Sequence, residues 1–274
     1  MTDEPQLPQT LEGKYVLHDV YQVNWPYWQS LTHAERDEAV TQASTWLHDE
    51  AGVGQINTAL YSLLGHKGDL MLVHYRTKID ALNRVERAWK RLKLAGALRP
   101  AYTYISVIEA SLYEAVAIAQ RKAGDKGHAM GSAPWKTAFE AEMAKEKKVL
   151  ETRVNRSVPE DRYCCFYPMS KRRGEQVNWY NLPVDERRQL MRGHGKIGHK
   201  YSREVTQVIS GSVGFDDWEW GVSLHADDPL AIKHLITEMR FDPASALYAD
   251  FGPFYFGIKQ QPDDLGVLLA GGLS

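Results

Sequence analysis

The chain has 274 residues, of which 43% are apolar and 25% charged, and its formal net charge is −2. This length suits two modest domains or one large one, and the small net charge gives no electrostatic reason to expect nucleic acid as a partner. No apolar run approaches the roughly 18 residues of a transmembrane helix, and the acidic, polar start MTDEPQLPQT lacks the pattern of a secretory signal. The only cysteines, Cys164 and Cys165, are adjacent and unsuited to a mutual structural disulfide, so we expect a cytoplasmic protein.

The elements predicted along the chain describe the same unit twice. The tetrapeptide Gln-Val-Asn-Trp occurs at 22–25 and again at 176–179, each time after a strand-like run and before a helix, LTHAERDEAV or LPVDERRQLM. The alternating and aromatic-rich patterns predict strands over 14–21, 69–75 and 101–108 in the first half, and over 163–169, 218–224 and 253–258 in the second. Helices are predicted over 79–94 and 229–239. Gly211, Gly214 and Asp216 mark the turn of a hairpin in the second half.

Strand, helix, two strands, helix, strand is the ferredoxin-like βαββαβ order. The sequence therefore predicts an α+β protein in which two such domains, residues 11–119 and 161–260, form a dimeric α+β barrel-type body with helices outside. Between them, residues 120–132 are rich in glycine and lysine and predict a mobile linker. Residues 135–148 then predict a charged, solvated helix, so that 120–160 as a whole connects the domains.

The helix of the second repeat carries a histidine, His194, among three glycines, Gly193, Gly195 and Gly198. A glycine in a helix costs roughly 1 kcal/mol relative to alanine. A flat cofactor that approaches the backbone closely, with the imidazole as its ligand, would explain the glycines. His199 lies off the same helical face, so the pair does not have the i, i+4 geometry of a helical zinc site. On spacing alone, a lone helix histidine is more often a hydrogen-bonded core or surface residue.

Tyr167 is the second candidate, because it lies on the preceding strand among other reactive side chains. Strand alternation places five of these on one face: Tyr163, Cys165, Tyr167, Met169 and Lys171. Pro168 within the run predicts an edge strand or a bulge. A half-buried edge strand with an interfacial tyrosine would explain the pattern equally well. The chain contains no GxSxG, GxxxxGK[ST], CxxC or HExxH motif, so the common hydrolase, kinase and zinc interpretations have no support.

Four long motifs, CFYPMSKRR, NWYNLPVDERRQLMRGHGKIGHKY, VISGSVGFDDWEWGVSL and TEMRFDPASALYADFGPFYFG, together resemble coproheme decarboxylases of the chlorite dismutase superfamily. EGKYVLHD and AYTYISVIEASLY agree in the first half, so the resemblance covers about residues 11 to 258. It implies two ferredoxin-like domains with haem held in the second. It also implies a homo-oligomer, usually a pentameric ring, and a transient contact with the upstream ferrochelatase.

The resemblance also assigns roles to individual residues. It implies that His194 is the proximal iron ligand, that Tyr167 becomes a radical and that Lys171 assists decarboxylation. Gln207 falls at the distal position above the iron. Three further residues fall at propionate contacts: Arg153, Met169 and Ser245. His199 stands where relatives often carry arginine.

The implied function is the hydrogen peroxide-dependent conversion of Fe-coproporphyrin III (coproheme), which is both substrate and redox cofactor, to haem b in haem biosynthesis. Two alternatives stay open: a chlorite-decomposing haem enzyme, and a haem-binding or interaction protein without catalysis. A distal arginine would favour the first, but Gln207 is neutral. The pair of Tyr167 with Lys171 separates an enzyme from a binder. Because no anionic partner for His194 is evident nearby in the sequence, we expect a comparatively weak proximal donor.

Overall fold

The computed structural model describes residues 9–52 and 57–270. Its nine strands are β1 (Thr10–Val23), β2 (Thr58–Leu63), β3 (Leu70–Arg76), β4 (Leu98–Ser111), β5 (Tyr163–Lys171), β6 (Thr206–Gly211), β7 (Trp220–Ala226), β8 (Ala249–Phe251) and β9 (Tyr255–Gln260). The α-helices are α1 (Trp25–Ser30), α2 (His33–Ala51), α3 (Ile79–Trp89), α4 (Tyr113–Gly124), α5 (Ala133–Val154), α6 (Val184–Lys200), α7 (Pro229–Met239), α8 (Pro243–Ala246) and α9 (Leu265–Leu269). Within these ranges no helix is long and apolar enough to cross a bilayer.

Eight of the strands close into an antiparallel barrel. The order around it is β1, β3, β2, β9, β5, β7, β6 and β4, which returns to β1. Each half contributes four neighbours in the ferredoxin-like arrangement, with the fourth strand beside the first: β4-β1-β3-β2 and β9-β5-β7-β6. The halves join where β4 pairs with β6 and where β2 pairs with β9. The predicted α+β fold of two ferredoxin-like units in one barrel-type body is confirmed.

The buried side chains of the described residues form three clusters. One cluster draws on both halves, with residues such as Val16, Tyr104 and Phe166, and fills the barrel interior. A second cluster lies outside the first-half strands, under α2 and α3. The third lies outside the second-half strands, under α7, and includes Cys165 and Tyr167. Alternate residues of β5 therefore face opposite sides of the sheet, as the period of a strand requires.

The segment between the halves differs from its prediction. Helix α4 runs to Gly124, so residues 120–124 are helical and not part of a linker. Its buried residues are Ala115, Ala119 and Ala123, and this four-residue spacing of small side chains gives α4 a flat stripe that packs on α5. The charged helix predicted over 135–148 is present and longer, Ala133–Val154.

The prediction that Pro168 marks an edge strand or bulge is wrong. Strand β5 has a partner on both sides of Pro168, β7 from Tyr163 to Met169 on one side and β9 followed by β8 on the other. The change from β9 to β8 falls between Phe166 and Met169, which is where proline lacks an N–H to donate. The Pro168 carbonyl still accepts from the Gly252 N–H at 2.9 Å. The proline therefore sits at a break between two partners inside the sheet.

Candidate functional site

The outer face of β5 carries the candidate site. Tyr163, Cys165, Tyr167 and Met169 all belong to or pack against the buried cluster on this face, as the alternation predicted. Antiparallel pairing brings Val222 opposite Tyr167, and Trp220 opposite Met169. The wall is therefore a continuous surface of aromatic, thiol and thioether groups, with Lys171 at its end.

Helix α6 packs on α7 and α8, its Ile197 lies against the cluster on this face, and none of its residues is buried. By comparison, α7 buries three residues on the same half of the sheet. A Cβ at Gly195 would meet no protein atom within 4 Å, and one at Gly193 would meet only Asp242 Oδ1 at 3.9 Å. Packing within the protein therefore does not require these glycines, and the helix face around His194 has room for a flat group.

His194 is held by a carboxylate that the sequence analysis missed. Its Nδ1 lies 2.8 Å from Asp242 Oδ2, and the Asp242 side chain is only 2% exposed. The Ser245 hydroxyl lies 3.3 Å from the same Asp242 oxygen and 3.5 Å from His194 Nδ1. Burial lowers the pKa of His194 below its usual range, and Asp242 opposes that shift. The expectation of a histidine without an anionic partner is wrong.

This arrangement leaves the other ring nitrogen of His194 available. With Nδ1 engaged as donor to a carboxylate, Nε2 is the free acceptor, which is the usual pattern of a metal-ligating histidine. The imidazole side chain keeps 33% of its surface exposed. Asp242 also caps α8 by accepting from the Ser245 N–H at 3.2 Å, so the same carboxylate fixes α8 beside the histidine.

Lys171 lies at the end of β5, facing α8. Its Nζ donates to the Ala244 carbonyl at 3.2 Å and lies 4.2 Å from the centroid of the Trp179 ring. Burial lowers the pKa of Lys171 to about 8, while the carboxylates of Asp242 and Glu219 oppose that shift. The ammonium is thus desolvated but mostly charged at neutral pH.

Tyr167 is 8% exposed, and its ring stacks on Phe254 with centroids 4.4 Å apart. Burial raises the pKa of its phenol well above the usual value, so the hydroxyl keeps its proton at neutral pH. Beside it, the Arg240 guanidinium lies 3.8 Å from the centroid of Phe251. Arg240 was not among the predicted site residues, although it lies within the motif TEMRFDPASALYADFGPFYFG.

A cleft of about 540 Å³ opens next to these groups. Its lining includes Arg172, Arg240, Ser245, Asp250, Phe251 and Phe254. Arg172 is paired with Asp250 at 2.9 Å, whereas Arg240 stacks on aromatic rings. The cleft does not include His194, Tyr167 or Lys171, and its Arg240 beside aromatic rings suits the carboxylate substituents of a ligand rather than a whole ring system.

Of the other predicted site residues, Gln207, Met169 and Ser245 lie near His194 or the wall, and Arg153 does not. Gln207 is on β6, and its amide donates to the Gly198 carbonyl at 2.9 Å, so it meets α6 one turn beyond His194. Met169 is half-buried on the wall, and Ser245 sits beside His194 as described above. Arg153 is exposed on the last turn of α5, a helix that packs on α4, β1 and β4 and not on the wall. His199 is exposed on α6.

Known proteins share this architecture. The sequence profile of chlorite dismutases matches residues 36–260. The chain is 40% identical to the coproheme decarboxylase of Staphylococcus saprophyticus, over 97% of this chain and 99% of that protein. The chain belongs to the chlorite dismutase family. A solved structure described as a novel haem-binding protein from Thermus thermophilus superposes with a TM-score of 0.81, at 35% identity over 97% of this chain and 99% of that one.

Other family members are longer. The chain is 39% identical to a protein of Haloquadratum walsbyi over 97% of its own length, but covers only 48% of that protein. It thus spans about half the length of the haloarchaeal relatives that it matches. The shared part includes both ferredoxin-like halves and the candidate site.

The donor set fits an iron porphyrin. The imidazole of His194 is held through Nδ1, which leaves Nε2 as the nitrogen that can bind a metal, the flanking Gly193 and Gly195 have open space beside them, and aromatic side chains lie on the outer face of β5. His194 would hold the iron, and Arg240 and Lys171 would meet carboxylate substituents.

Proposed function

We propose that the protein binds a haem-type ligand and decarboxylates two propionates of coproheme with hydrogen peroxide, which yields haem b. The observation that carries the proposal is the grouping on one strand of a protonated phenol, Tyr167, and a desolvated ammonium, Lys171. The carboxylate that holds His194, Asp242, also acts on this ammonium. The name of the Staphylococcus relative supports the same reaction.

The stoichiometry of each step is fixed by its redox balance. A propionate becomes a vinyl group by losing CO₂, one proton and two electrons, and hydrogen peroxide takes up two electrons and two protons to give two waters. An iron porphyrin held by His194 would supply the oxidising power of the peroxide. The chain itself positions the groups that pass this oxidation to the substrate.

Tyr167 is the hydrogen-atom acceptor in this scheme. After losing an electron and its phenolic proton, it takes a hydrogen atom from the β-carbon of a propionate and regains its resting form. Its stacking on Phe254 fixes the ring plane, and its raised pKa keeps the hydroxyl protonated between turnovers. The substrate radical then loses one more electron together with CO₂.

Lys171 orients the reacting carboxylate. Its charge lies at the end of the strand that carries Tyr167, and burial strengthens an ion pair there relative to one in water. Arg240 supplies a second cation on the aromatic side of the cleft. Coproheme carries four propionates, so a site with several cations suits it better than haem b, which has two.

Two other functions would explain fewer of the residues that are grouped at this site. Chlorite decomposition needs a cation that holds an anion above the iron, and Gln207 is neutral and hydrogen-bonded to α6. A passive haem binder requires His194 and its carboxylate, but not an oxidisable phenol beside a desolvated lysine. The pentameric ring, the ferrochelatase contact, the cytoplasmic location and the domain boundaries remain predictions.

The substitution Tyr167→Phe tests the scheme. Phenylalanine keeps the stack on Phe254 but lacks the oxidisable phenol, so the variant should bind coproheme and convert neither propionate. Cys165→Ser, on the same face of β5, is the matched control and should retain activity. Haem b formation by Tyr167→Phe at the wild-type rate would refute the assignment.

A further inference from the structure

The two copies of the repeat differ where their first strand ends. In the first half Gln22 still belongs to β1 and Trp25 begins a helix directly. In the second half a hairpin intervenes after Lys171, with a bridge between Arg173 and Asn178. The Trp179 N–H then donates to the Arg172 carbonyl at 2.9 Å, which returns Trp179 to the end of β5.

This hairpin places Trp179 against the Lys171 ammonium. The ring is buried, its centroid lies 4.2 Å from Nζ, and Tyr248 packs edge-on against it at 5.6 Å. The corresponding Trp25 is 36% exposed, and no lysine or arginine lies over its ring in the described part of the chain. The tryptophan of the second tetrapeptide therefore contacts a cation, and among the described residues the tryptophan of the first does not.

A buried carboxylate, Glu219, completes the arrangement. One of its oxygens accepts from the Lys171 backbone N–H at 2.7 Å and the other from the Tyr180 hydroxyl at 2.7 Å. Its own N–H donates to the Ser170 hydroxyl at 3.2 Å. Glu219 thus ties the end of β5 to the turn that carries Trp179, next to the lysine backbone.

We propose that Trp179 and Glu219 are positioning residues for Lys171, which hold its side chain against α8 with the ammonium kept charged for a substrate carboxylate. The identity of that substrate rests on the proposed function; the positioning does not. The charged and titratable groups around the lysine are Glu219, Tyr180 and Arg173 on one side, and Asp242 and His194 on the other.

The proposal is tested on the protein without substrate, by competitive acetylation of Lys171 across pH with mass-spectrometric readout. Wild-type Lys171 should titrate near pH 8. Trp179→Leu keeps apolar cover but loses the ring's attraction for the cation, so the midpoint should fall by about one pH unit. Trp179→Phe restores a ring and should titrate near the wild type.

Two further variants complete the design. Glu219→Gln removes a nearby negative charge and should lower the midpoint by about one pH unit. Trp25→Leu changes the same residue of the other repeat and should leave it unmoved. A midpoint in Trp179→Leu that stays at the wild-type value, or rises because water reaches the amine, would overturn the proposal. If Trp179→Leu does not fold, Glu219→Gln decides it, and a midpoint there that stays at the wild-type value would overturn the proposal.

Activity separates this inference from the proposed function. If coproheme is the substrate, the alkaline limb of the decarboxylation rate should move with the Lys171 midpoint in each variant. If wild-type protein converts no propionate, the proposed function fails, while the acetylation midpoints still show whether Trp179 and Glu219 set the state of Lys171.

Discussion

Replacing Asp242 with asparagine should weaken the proximal ligand while leaving the fold in place. Asn is nearly isosteric and is as good an N-cap as Asp, so α8 should keep its start. What the substitution removes is the charge that lies 2.8 Å from His194 Nδ1 in a side chain only 2% exposed. The perturbation is therefore electronic and local.

The size of the effect follows from that hydrogen bond. A bond to a charged partner contributes about 1.5–3 kcal/mol and one between neutral groups about 0.5–1.5 kcal/mol. By that difference, the loss should be about 1 kcal/mol in stability. Carboxylate partners of ligating histidines are worth about 10- to 100-fold in metal affinity or activity, so ferric haem binding should weaken within that range.

The assay is the iron–histidine stretching frequency of the ferrous haem complex, measured by resonance Raman, beside a haem titration. The frequency should fall in Asp242→Asn because the imidazole becomes a poorer donor. Asp250→Asn is the control, since Asp250 carries the same charge nearby but pairs with Arg172 and not with His194. An unchanged frequency and affinity in Asp242→Asn would refute the reasoning.

Three further outcomes are expected. His194→Ala should lose the histidine-ligated spectrum and most activity yet still bind coproheme measurably through the aromatic wall and cations; an unchanged spectrum would make His199 the next candidate. The haem complex should evolve negligible oxygen from chlorite, because Gln207 is neutral; rapid, sustained evolution would contradict this. Burial lowers the pKa of His18, and likewise of His74 and His225, from 6.5 to about 3. Below pH 6.5 these histidines take up protons in the unfolded chain but stay neutral in the folded one. The free energy of unfolding should therefore be highest above pH 6.5 and fall by about 2 kcal/mol per histidine by pH 5. Equal urea midpoints at pH 7 and 5 would be inconsistent with this.

Much of the fold could be predicted because its signals are local. Strand alternation and the duplicated Gln-Val-Asn-Trp indicated two ferredoxin-like halves, although β2 was not predicted. The bounds of α7 agree with the prediction over 229–239. Helix α4 was missed because its stripe consists of alanines, which also fit a flexible segment. Pro168 was misplaced because a break between β8 and β9 involves strands that lie about 80 residues further along the chain.

The sequence indicated individual site residues, but it did not indicate the contacts between residues that lie far apart in the chain. Tyr167 and Lys171 share a strand, so alternation alone brings them to one face. The partner of His194 lies 48 residues away on another element, and nothing local to the histidine indicates it. Glu219 and Trp179 likewise reach Lys171 only through the sheet pairing and the hairpin turn.

The most direct test of the central claim is a peroxide titration of the coproheme complex, with the porphyrin products identified by mass spectrometry. We expect stepwise loss of two carboxyl groups, with about one equivalent of peroxide for each by redox balance, and haem b as the final product. Bleaching of the porphyrin without defined loss of CO₂ would contradict it and leave a haem-binding protein without this activity.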